Sequence, residues 1–137
     1  MNVKGGITYS GNGGASTCTG MSGEKAVVCI KTNSGTAGNY ITYKAWPGTG
    51  RPIVDATDTN DCFGIRKSYI VIDGFELKNG INGSNPRGIM IVDYVNNTAL
   101  SNIIIRNNYI HDNDVGIQNF SDLGGSSIRY WLMIIYI

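Results

Sequence analysis

The sequence predicts an all-β chain wound as a parallel β-helix, a solenoid of short stacked strands. Three observations point to it. The segment "YIVIDGFELKNG" (69–80) is echoed 33 positions later by "NIIIRNNYIHDN" (102–113), so that Ile70-Val71-Ile72 falls on Ile103-Ile104-Ile105, Gly74 on Asn107 and Leu77 on Ile110. The dipeptide Gly-Ile recurs at Gly64-Ile65, Gly88-Ile89 and Gly116-Ile117, at spacings that suit one solenoid coil with loop insertions. Glycine occurs 19 times and Glu only as Glu24 and Glu76, so turn formers are plentiful and helix formers scarce.

The elements follow in order. "NVKGGITYS" (2–10) reads as a strand and a turn. β-branched runs then come at "AVVCI" (26–30), "YITYKA" (40–45), "PIVDA" (52–56), "YIVIDGFELKN" (69–79), "GIMIV" (88–92), "NIIIRNNYI" (102–110) and "VGIQNF" (115–120). Gly, Asn, Asp or Pro clusters separate them, which makes each a strand bounded by turns. Each coil reads as a Gly-Ile strand, an aliphatic triplet, a Gly or Asn corner and an alternating strand. An inserted "VDYVNNTALS" (92–101) stretches one coil and accounts for the 33-residue echo. Stacked coils bury a continuous core that no coil can bury alone, in aliphatic ladders such as Ile70/Ile103, Ile72/Ile105 and Leu77/Ile110. Gly74 and Asn107 fall at a corner, where positive φ is cheap for Gly and tolerated by Asn. A β-sandwich of hairpins is the competing architecture, but hairpin turns do not by themselves repeat at coil length.

Length suits one domain, with coils over 1–123 and an atypical C-terminal tail or terminal strand over 124–137. The chain reads as entering in mid-strand and as leaving the repeat at "RYWLMIIYI", so an N-terminal fragment of a longer, incomplete solenoid is expected. No signal peptide and no 18-residue apolar stretch is seen, so no membrane span is expected. A net charge of +1 gives nucleic-acid binding no support. Cys18, Cys29 and Cys62 allow at most one intrachain disulfide, and Cys29, in an apolar run, is expected as a buried small hydrophobe rather than a bridge.

"NSGTAGNYITYKAWPGTGRPIVDA", "SYIVIDGFELKNG" and "NIIIRNNYIHDNDVGIQ" resemble the right-handed, single-stranded parallel β-helix proteins related to the pectate lyases, closest to the polysaccharide lyase group typified by family 9. The likeness covers roughly residues 3 to 123. It implies a parent that is secreted or at the cell surface. It also implies calcium-assisted β-elimination on an acidic polysaccharide such as polygalacturonate. That chemistry needs a cation to neutralise the uronate carboxylate and a base, Lys or Arg in this group, to take the weakly acidic proton beside it. In "HDNDVGIQ" the resemblance makes Asp114 a calcium ligand, with Asp112 its substitute across a one-residue gap. The group's further Asp cluster and catalytic Lys lie on later coils, so no base is assigned here.

The remaining candidates have plainer readings beside them. Asp112 and Asp114 also suit a solvated turn in which Asx side chains cap the backbone. His111, the single histidine, has no second ligand or nucleophile beside it in sequence and reads as a strand-end surface residue. Asp55, Asp58 and Asp61 in "DATDTND" lack the Gly and Glu of an EF-hand loop and read as a polar turn between coils. Lys67, Lys78, Arg87 and Arg106 are candidate cations for an acidic groove, with isolated solvated charges as the default. Tyr40, Tyr43, Trp46 and Tyr69 are candidate sugar-stacking rings, and one of Tyr43 and Trp46 is expected in the core. Glycosylation sequons at Asn82, Asn96 and Asn119 carry little weight in so Asn-rich a chain. A non-catalytic carbohydrate-binding or structural cell-surface β-helix is the alternative function, since solenoids make extended binding faces without catalytic residues. A hydrolase would want paired carboxylates that Asp112 and Asp114 do not supply.

Overall fold

The structure, a computed structural model, describes residues 1–11, 18, 24–83 and 86–120, and the backbone of two further strands at 128–131 and 134–136. The strands are β1 (Asn2–Val3), β2 (Thr8–Ser10), β3 (Ala26–Ile30), β4 (Ile41–Ala45), β5 (Ile53–Asp55), β6 (Asp61–Ile65), β7 (Ile70–Asp73), β8 (Glu76–Lys78), β9 (Arg87–Ile91), β10 (Ile103–Arg106), β11 (Tyr109–His111), β12 (Val115–Asn119), β13 (Ile128–Trp131) and β14 (Ile134–Tyr136). They form three sheets, ordered β1-β4-β7-β10-β13, β2-β5-β8-β11-β14 and β3-β6-β9-β12. The chain visits the three sheets in turn and pairs each strand in parallel with its counterpart one coil on. This is a parallel β-helix.

The expected ladders are present. Ile70 pairs with Ile103, Ile72 with Ile105 and Leu77 with Ile110, and all six side chains are fully buried. Each such burial contributes about 1.5–3 kcal/mol against the entropy of ordering the chain. β13 and β14 extend the same two sheets by pairing with β10 and β11.

The Gly-Ile echo is only partly in register. Ile89 pairs with Ile117, but Gly64 and Ile65 pair with Met90 and Ile91, which leaves Phe63 opposite Ile89. Interior filling sets that register: Phe63 is buried edge-on against Phe75, with ring centroids 5.3 Å apart.

The corners use left-handed backbone, coil after coil. Gly74 (φ 86°) stacks on Asn107 (φ 56°), Asn79 (φ 62°) on Asp112 (φ 51°), and Tyr69 (φ 58°) on Asn102 (φ 56°). Gly, Asn and Asp take this conformation cheaply; a tyrosine does not. Two buried asparagines tie the corners inside. Asn108 Oδ1 accepts the Phe75 N–H at 2.9 Å and its Nδ2 donates to the Ile72 carbonyl at 3.0 Å. Asn113 Oδ1 accepts the Gly80 N–H at 2.7 Å, while its Nδ2 donates to the carbonyls of Leu77 (3.1 Å) and His111 (2.8 Å).

Two expectations fail on the third sheet. Cys29 is not a lone apolar side chain but is disulfide-bonded to Cys18, and the fully buried free thiol is Cys62. Alternation turns Cys29 outward beside Gly64, and Cys18 packs there so closely that a Cβ on Gly64 would lie 2.5 Å from its Sγ. Arg87 is not a solvated charge but is 1% exposed. Its Nη1 lies 2.7 Å from Glu24 Oε1 and 3.6 Å from Asp61 Oδ1, and its Nε donates to Gln118 Oε1. Burial, with the like charge of Glu24 added, outweighs the attraction of Arg87 and pushes the Asp61 carboxyl up to about 7.

The first coil lines the interior with Val3, Tyr9 and Val28 and leaves an apolar chamber of about 410 Å3 floored by Val54, Phe63 and Phe75. Tyr43 packs against the core, whereas Trp46 stands 54% exposed on the chamber rim.

Candidate functional site

Strand alternation builds a polar face on the second sheet. Val54, Leu77 and Ile110 point into the core, so their flanking residues point out. Register arranges these in two rows across β5, β8 and β11: Ile53, Glu76 and Tyr109 in one, Asp55, Lys78 and His111 in the other. All six are partly buried, so the face is firm rather than a fringe of free side chains.

The groups on this face hold one another. Burial works against ionisation of Asp55, but hydrogen bonds from Thr57 and Asn79, with the charge of Lys78, together hold its carboxyl below the usual range. His111 places Nε2 3.0 Å from Glu76 Oε1 and Nδ1 2.8 Å from Asp112 Oδ2, and its ring stacks on Tyr109 with centroids 4.2 Å apart. Both ring nitrogens are engaged within the protein. His111 thus clasps two coils together.

Asp112 and Asp114 lie at the end of this face, both exposed, on either side of the inward-turned Asn113. The Asp114 N–H donates to the Gly80 carbonyl at 2.9 Å. Calcium takes six to eight oxygens. One Asp112 oxygen is engaged by His111, and among the described residues no three His, Cys, Asp or Glu side chains converge on a point that could hold a metal. These two aspartates therefore do not by themselves make a calcium cage.

The other candidates are scattered. Asp55 is on the face, Asp58 on an exposed turn, and Asp61 buried beside Arg87. Arg106 pairs with Asp73 at 2.9 Å across the first sheet, so two charges that differ between the echoed segments are complementary. Tyr40 and Tyr69 meet edge to face at 5.5 Å. The amide nitrogens of Asn82 and Asn96 are bound to Thr57 and Asp93. Sequence reasoning did not find Glu24, Asn108 or Asn113. The overlay that aligns the ladders sets Asn108 on Phe75 and Asn113 on Gly80, so no polar repeat marks them. Comparison with family models, characterised proteins and solved structures finds no match for the chain.

Proposed function

We propose that the chain is a pectate-lyase-like β-helix that binds an acidic, uronate-containing polysaccharide along the outer face of the second sheet. The observation that carries this reading is the firm row Asp55, Lys78, His111, which ends at the exposed carboxylates of Asp112 and Asp114. Lys78 supplies a cation for a sugar carboxylate. Asp112 and Asp114 supply oxygens that a calcium ion could share with the polysaccharide's own carboxylates, which is the donor chemistry calcium prefers. The Cys18–Cys29 disulfide supports an oxidising setting, in keeping with a secreted or cell-surface parent.

Calcium-assisted β-elimination is the second reading, favoured by the likeness of "HDNDVGIQ" to the ligand segment of that group. It needs a base. Arg87 is buried in an ion cluster and Arg106 is held by Asp73, which leaves Lys78 on the face itself.

Polygalacturonate, assayed for unsaturated product by absorbance with calcium and with a chelator, separates the readings. Retardation on a polygalacturonate gel, weakened by Lys78→Ala and without product, supports binding. Calcium-dependent product lost in Asp114→Ala supports the lyase. Folded protein with neither signal refutes both.

A further inference from the structure

We propose that the corner between the third and first sheets is a second sugar-binding strip, where Tyr69 and a ladder of serine hydroxyls receive a polysaccharide running along the solenoid axis. It rests on the reading of the chain as polysaccharide-binding, but not on the second-sheet face.

Backbone hydrogen bonds define the strip. The Gly35 N–H donates to the Ser68 carbonyl and the Tyr69 N–H to the Ser101 carbonyl, both at 3.1 Å. Gly35, Tyr69 and Asn102 thus hold the same corner position in successive coils. Asn102 takes left-handed backbone there at φ 56°, which is cheap for an Asn. Tyr69 adopts it at φ 58°, against the steric preference of a bulky residue. Strained residues of this kind concentrate where a ligand is held. The ring is half-buried and braced edge-on by Tyr40, which gives a rigid aromatic surface that loses little freedom on binding.

A row of hydroxyls runs beside that ring. Ser34 Oγ accepts the Ser68 N–H at 3.3 Å, Ser68 Oγ accepts the Ser101 N–H at 3.1 Å, and Ser101 Oγ accepts Asn102 Nδ2 at 3.1 Å. These bonds use oxygen lone pairs, so each hydroxyl hydrogen remains to donate. One donor therefore stands on each of three successive coils, about 4.8 Å apart. A pyranose has an apolar C–H face ringed by hydroxyl acceptors, which suits an aromatic ring flanked by a line of O–H donors.

The test is affinity electrophoresis through polygalacturonate and through neutral galactan gels, with urea unfolding of each variant. Tyr69→Asn, which installs the residue type found at Asn102, should weaken binding at least tenfold while its urea midpoint holds or rises. Tyr69→Phe keeps the ring and should bind within about twofold of wild type. Tyr69→Asn binding like wild type, or losing its midpoint, overturns the strip, the second because the ring would then be structural. Binding lost only in Lys78→Ala overturns the strip and leaves the second-sheet reading standing. Wild type retarded by neither gel overturns both.

Discussion

Asn108→Ala tests how the solenoid is held at its corners. The side chain is fully buried, accepts from the Phe75 N–H and donates to the Ile72 carbonyl. Alanine removes both partners and admits nothing in their place. A buried polar group left without its hydrogen bond costs about 1–3 kcal/mol, so the two together cost about 2–6 kcal/mol. Total stability of a domain this size is roughly 5–15 kcal/mol, so the variant stays folded but visibly weaker. With a urea slope near 2 kcal/mol/M, the midpoint should fall by about 1–3 M at unchanged slope. Asn108→Asp should cost as much or more, because it keeps the acceptor for Phe75 but sets an oxygen against the Ile72 carbonyl. A fall below about 0.3 M for Asn108→Ala would refute the reasoning, since water or backbone adjustment would then serve as well as the amide.

Two further outcomes follow from the third sheet. The unfolded chain ionises Asp61 near 3.8, whereas the folded chain keeps its proton up to about 7, so folding takes up a proton between these values and wild-type stability falls as pH rises through that window. Asp61→Asn cannot titrate, so its stability relative to wild type should climb from about pH 4 to 7 and level off above; parallel pH profiles would sink this account of the Glu24–Arg87–Asp61 cluster. Cys29→Ser opens a link between cysteines 11 residues apart and should cost about 2–3 kcal/mol in urea unfolding. Wild type in reductant should lose the same amount and the variant none, and a variant as stable as oxidised wild type would contradict a stabilising bridge.

The ladders and corners were legible because they obey local rules. An aliphatic triplet followed by a Gly or Asn corner and an alternating strand has few ways to bury itself except by stacking on its own echo. The register of β6 was not legible, because it depends on Phe63 meeting Phe75 across the interior rather than on any neighbour in sequence. Arg87 read as a surface charge for a similar reason. Its partners Glu24 and Gln118 stand 63 and 31 residues away, and no local pattern announces a buried ion pair. Cys29 misled because "AVVCI" looks uniformly apolar, although strand alternation faces its sulfur outward to Cys18. Of the proposed site, Lys78, His111, Asp112 and Asp114 were visible individually. Their common face required knowing that β5, β8 and β11 are neighbours.

The uniformly parallel pairing bears on how this chain reaches its native state. Strand partners stand from 23 residues apart, as in Ile53 and Glu76, to 45 apart, as in Thr8 and Ile53. A hairpin could zip from its turn, but here the first ladder bond forms only after a whole coil has been closed at an entropic loss. Folding rate should therefore be set by assembling one pair of coils, and β7–β8 against β10–β11, with its six buried aliphatics, is the pair best equipped to start. Once it exists, each further coil meets a finished edge and adds to it at far lower cost, so growth from this centre should outpace its birth.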